Sequence, residues 1–114
     1  MTVLVLVEHD GGAIDELSLQ AVALARELGE PLEALLVGPG ATEAVAELGA
    51  HGVAQAHVAE DERLAAYAPG AWARSLTDLA ARLEPSAIVA AGSNRGNEVL
   101  AHVAARLQLP FAAN

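Results

Sequence analysis

Two polar segments carry the residue types that chemistry needs. Glu8-His9-Asp10-Gly11-Gly12 offers two carboxylates and an imidazole, a set that could serve acid–base or metal chemistry. Adjacent residues on extended chain point apart, so at most Glu8 and Asp10 converge. Gly92-Ser93-Asn94-Arg95-Gly96 offers two glycines, a hydroxyl and a guanidinium just before an expected helix. Backbone N–H groups and the helix dipole make such a start a weak candidate for an anion or nucleotide phosphate. The spacing is neither G-x-G-x-x-G nor a P-loop. The plainer reading is a tight turn with Asn94 as helix cap, and Glu98 in the first turn would repel a phosphate.

The other candidates reduce to structure. His51, His57 and His102 have no i, i+4 partner and no H-x-x-E-H spacing, so no metal ligands are expected. Ser18, Ser75, Ser86 and Ser93 lack a G-x-S-x-G elbow. No catalytic residue is expected. Glu60-Asp61-Glu62 reads as a solvated turn.

The elements that position these segments follow from periodicity. Thr2–Val7 is a continuous β-rich apolar run, as in a strand buried on both faces. Asp15 is a good N-cap for a helix to Leu28, with Leu17, Val22, Leu24 and Leu28 as its apolar stripe and Gly29 and Pro31 ending it. Pro31–Val37 is a second strand. Thr42 caps a helix to about Leu48, with Val45 and Leu48 facing inward, ended by Gly49 and Gly52. Val53–Ala59 is a third strand. Pro69 opens a helix on which Trp72, Leu76, Leu79 and Leu83 share one face, and Glu84-Pro85 stops it. Ser86–Ala91 is a fourth strand. A last helix runs to Leu107 with Val99, Val103 and Leu107 inward, and Pro110–Ala113 begins a fifth strand.

Strict alternation of strand and helix means an α/β fold, a doubly wound parallel sheet in three layers. The loops richest in glycine and polar residues follow strands 1 and 4. Ligands bind where the strand order reverses, so the expected order is 3-2-1-4-5. The 114 residues suit one domain spanning 1–114.

Composition removes whole classes. Hydrophobic residues make up 54%, which excludes disorder. The 27 alanines, against one each of Trp, Tyr and Phe, favour close-packed helices. Absent cysteine excludes disulfides and thiolate chemistry. Six Lys+Arg against 15 Asp+Glu give a charge of −9, the wrong sign for nucleic acid. No apolar run is long enough to span a membrane and no signal peptide is visible, so a cytoplasmic domain is expected.

Three stretches carry a resemblance to the electron transfer flavoprotein alpha subunit. They are VLVLVEHDGGAIDELSLQAVALARELG (Val3 to Gly29), Val58-Ala59-Glu60-Asp61 with Leu64 and Tyr67, and AAGSNRGNEVLAHVAARL (Ala90 to Leu107). The resemblance implies an adenine-nucleotide-hydrolase-like N-terminal domain of a heterodimer. That heterodimer takes electrons from acyl-CoA or other dehydrogenases and passes them to an acceptor. It implies a beta subunit as partner, and FAD held mostly by a C-terminal domain outside this chain. No FAD is expected on these residues; their role would be scaffold and subunit interface. A stand-alone nucleotide-binding module like the universal stress proteins is the alternative. An unfinished sheet edge at strand 5 leads to the expectation of a homodimer of the isolated domain.

Overall fold

A computed structural model describes residues 2–60, 64 and 66–110. Its elements run β1 (Val3–Val7), β2 (His9–Asp10), β3 (Ala13–Ile14), α1 (Glu16–Arg26), β4 (Leu32–Val37), α2 (Ala41–Ala50), β5 (Val53–Ala59), α3 (Pro69–Leu83), β6 (Ala87–Ala90) and α4 (Asn94–Leu107).

The four long strands pair in parallel in the order β5-β4-β1-β6. In strand count this is 3-2-1-4, as the loop chemistry predicts. The proposed fifth strand falls mainly on residues outside those described. Chain order moves outward from β1 to β5 and then jumps back to β6, so the switch point lies between β1 and β6.

The sheet separates two cores. Val3, Val5 and Val7 of β1 pack with Val22 and Ala25 of α1 and Ala41, Ala44 and Leu48 of α2. Leu4 and Leu6 pack on the other side with Trp72, Leu76 and Leu79 of α3 and Val99 and Val103 of α4. Alternation of Val and Leu along β1 thus supplies both faces, and every residue of it is buried. Reversal of the strand order at β1 is what carries α3 and α4 to the opposite face, given right-handed crossovers.

Three local expectations are corrected. On α1 the buried residues are Ser18, Ala21, Val22 and Ala25. Of the expected stripe only Val22 faces the core; Leu17, Leu24 and Leu28 are 47%, 63% and 55% exposed. Small residues face the sheet because they allow close approach, and the leucines are turned outward. Thr42 is not the cap of α2. Gly40 holds that position at φ +85, and a Cβ there would come within 2.9 Å of the Gly11 backbone. Asn94 is not the cap of α4; Ser93 is, its hydroxyl accepting from the Gly96 amide. The first loop also forms an element the periodicity did not suggest. β2 and β3 make a two-residue hairpin over Gly11 and Gly12, whose φ values of +57 and +95 suit such a turn.

Candidate functional site

The switch point brings the two polar loops together. Glu8 leaves the end of β1, and its Oε2 accepts a 2.6 Å hydrogen bond from the Ser93 hydroxyl, which stands just beyond β6. Ser93 Oγ in turn accepts from the Gly96 amide at 3.0 Å. The Glu8 amide donates to buried Ser18 Oγ at 2.8 Å, tying the same loop to α1. Gly96 must be glycine for this arrangement. A Cβ there would overlap the Ala91 carbonyl oxygen and lie 3.2 Å from its carbon.

His9 is committed on both nitrogens. Its Nδ1 accepts from the Gly12 amide at 3.1 Å, and Nε2 stands 3.0 Å from the Val37 carbonyl. A carbonyl only accepts, so Nε2 donates in this pair. His9 therefore pins the hairpin to the end of β4, with no nitrogen left for a metal or a proton transfer. Among the described residues, no three His, Asp or Glu side chains gather as a metal site.

Beside these bonds lies a cleft of about 350 Å³ lined by Glu8, His9, Asp10, Asp15, Trp72 and Arg95, among others. Its charge is mostly carboxylate, with Arg95 as the cation. The Arg95 guanidinium sits 4.7 Å from the Tyr67 ring centre and 5.9 Å from that of Trp72. The two rings meet edge to face at 5.2 Å. Cation–π attraction accounts for this placement. The Tyr67 hydroxyl donates to Glu98 Oε1 at 2.7 Å. Burial, and then this carboxylate, push the phenol up from 10.0 to about 12.

A second helix start faces the same edge of the sheet. Glu60, at the end of β5, accepts from the Gly40 amide and from the Thr42 hydroxyl, each at 2.9 Å. The Thr42 hydroxyl, then the Gly40 amide, hold this carboxyl below the usual glutamate range. Read alone, Glu60 is part of an acidic turn; its clamp on α2 joins residues 18 and 20 positions apart, so no local signal could have shown it. A third polar pair sits within the sheet, where His57 Nε2 lies 2.8 Å from Glu33 Oε1.

Gly92 to Gly96, the anion candidates, are thus divided in role. Ser93 and Gly96 close the cap, Arg95 lies over the aromatic pair, Gly92 and Asn94 are exposed.

Comparison with known proteins identifies the lineage. The model of the electron transfer flavoprotein domain family matches residues 3–114. The chain is 36% identical over 106 residues to the electron transfer flavoprotein subunit alpha of Mycobacterium tuberculosis, which covers 92% of this chain and 33% of that protein. It is 32% identical over 114 residues to the lactate dehydrogenase (NAD(+),ferredoxin) subunit LctC of Acetobacterium woodii, over 96% of this chain and 27% of the relative. A probable mitochondrial electron transfer flavoprotein subunit alpha of Caenorhabditis elegans is 31% identical over 107 residues, 93% of this chain and 32% of its own length. The chain spans about a third of the length of these relatives. The fold, the three matching stretches and the family match agree: the chain belongs to the electron transfer flavoprotein domain family.

Proposed function

We propose that this chain is the N-terminal α/β domain of an electron transfer flavoprotein alpha subunit, and that it acts as a scaffold and subunit-docking unit. The observation that carries the reading is the state of the two helix starts at the carboxyl edge of the sheet. Each is held by the chain's own groups, α2 by Glu60 and α4 by Ser93 under Glu8. A pyrophosphate would need those N–H donors free. It would also meet Glu8, Asp10, Asp15 and Glu16 with one arginine in reach. The described residues therefore do not fit the phosphates of FAD, and the flavin is assigned to polypeptide beyond them. A stand-alone nucleotide-binding module is disfavoured on the same ground, and by the family match.

In this reading the domain performs no chemistry of its own. It holds the beta subunit against the part of the alpha subunit that carries the flavin. Electrons would arrive from acyl-CoA or other dehydrogenases through the assembled protein. No described helix is long and apolar enough to cross a membrane, and a cytoplasmic location accords with the acidic composition. The test is co-purification. The chain, mixed with the beta subunit of the same source, should elute as a 1:1 complex on gel filtration with light scattering. Separate elution at concentrations well above those of stable complexes would reject the scaffold role.

A further inference from the structure

The cleft at the switch point has two unlike walls. One comes from β2 and the head of α1 and carries Asp10, Asp15 and Glu16, all exposed. Asp15 holds the N-cap position of α1, where a carboxylate ordinarily accepts from an amide of the first turn, yet its side chain makes no capping bond. The other wall comes from α3 and α4 and carries Trp72 and Arg95. Arg95 is exposed and held by the rings of Tyr67 and Trp72. It forms no ion pair with a carboxylate among the described residues, although Glu8, Asp10, Asp15 and Glu16 line the same cleft. Trp72 is 6% exposed, and its indole Nε1 is buried with no hydrogen-bond partner among the described residues. Buried polar groups are ordinarily paired, so an orphaned donor on a residue that lines a cleft marks a place for an acceptor.

Charge decides what kind of molecule fits. A plain anion drawn to Arg95 would meet the four carboxylates. A plain amine would suit the acidic wall and leave both donors without an acceptor. A molecule that carries both charges answers both walls, and its own ammonium offsets the carboxylates. The cleft's volume of about 350 Å³ is at the small end of ligand pockets. We propose that it binds a small zwitterion, an aminocarboxylic acid, with the carboxylate on Arg95 and the ammonium on Asp15 and Asp10. The ligand carboxylate draws the guanidinium off the rings, which are its only described hold, and the Trp72 N–H becomes the second donor. This site goes beyond the scaffold reading and is independent of it.

The test uses the chain's single tryptophan as reporter. The 114-residue chain is titrated with glycine, γ-aminobutyrate and ε-aminohexanoate, which set the two charges progressively further apart. Butyrate and butylamine are the controls with one charge. Trp72 emission and calorimetric heat should saturate with at least one of the three aminocarboxylic acids at about millimolar concentration, and with neither control. Arg95→Gln should weaken that binding at least about tenfold, the effect of losing a hydrogen bond to a charged group. Asp15→Asn keeps a good cap residue for α1 and should weaken it about as much. Circular dichroism of both variants should remain that of the parent. Glu47→Gln on α2, outside the cleft, should bind as the parent does. No saturable signal with any of the three, or parent-like affinity in Arg95→Gln, would overturn the proposal. Butyrate or butylamine binding as tightly as the aminocarboxylic acids would leave a site for one charge only and overturn it as well.

Discussion

Gly96 sits where a loop bond, a helix cap and the switch point meet, so its replacement tests the local account most sharply. It is buried in the first turn of α4. A Cβ would overlap the Ala91 carbonyl oxygen and would have to retreat by about 1.3 Å to reach ordinary contact. The helix start would be pushed off the end of β6, and the Ser93–Gly96 cap would open with it. Overpacking of this kind costs about 1–3 kcal/mol, and a lost cap about 1 kcal/mol. Alanine's helix propensity returns about 1 kcal/mol. The net expectation for Gly96→Ala is a loss of about 1–3 kcal/mol. With unfolding entropy of roughly 2 cal/mol/K per residue, that lowers the Tm of this chain by about 4–13 °C. Gly49→Ala is the control. Gly49 lies in α2, with nothing within 4 Å of its Cβ position, and the change should stabilise by about 0.5–1 kcal/mol. Paired thermal melts followed by circular dichroism give both numbers. If Gly96→Ala melts at or above the parent temperature, helix propensity alone governs the site and the close approach is refuted.

Trp72 is 6% exposed among Leu76, Leu79 and Leu6, and Trp72→Ala should cost about 3–5 kcal/mol in urea unfolding. A loss within about 0.5 kcal/mol would place it at the surface. The single tyrosine should titrate with a midpoint about 12 in an ultraviolet absorbance titration, and Glu98→Gln should lower that midpoint. Because the folded phenol is raised, its contribution to stability is complete below pH 10 and is lost as the pH climbs towards 12. Glu60 behaves in the opposite sense. Its depressed carboxyl favours the fold above the ordinary glutamate range, and that contribution disappears as the pH falls through the folded value. Thr42→Val should move its NMR titration upward.

How much of this was legible beforehand varies with the range of the interactions. β1 announces itself as an unbroken apolar run, and α3 by Trp72, Leu76 and Leu79 on one face; each is a pattern within a few turns of chain. The order of the four long strands follows from which loops are rich in glycine and polar groups. α1 misleads because its largest apolar residues are not the ones that face the sheet. Its sheet-facing side is Ser18, Ala21 and Ala25, and its leucines face out. The Gly11-Gly12 hairpin did carry a signal, two consecutive residues free to take positive φ, but its strands of two residues are too short for alternation to show. At the candidate site, the Glu8–Ser93 bond spans 85 positions and the Glu60 clamp about 20. Such pairings exist only once the sheet has assembled, so local sequence marks Ser93 as part of an anion-loop candidate and Glu60 as part of an acidic turn, without their partners.

A flavin titration asks whether these residues hold FAD. The starts of α2 and α4 are held by the chain's own Glu60 and Ser93. The purified chain, incubated with excess FAD and desalted, should retain no stoichiometric flavin, and FAD fluorescence should be unchanged on adding protein. One FAD per chain surviving gel filtration would contradict the account, since the Glu60 and Ser93 clamps would then have to open for a phosphate.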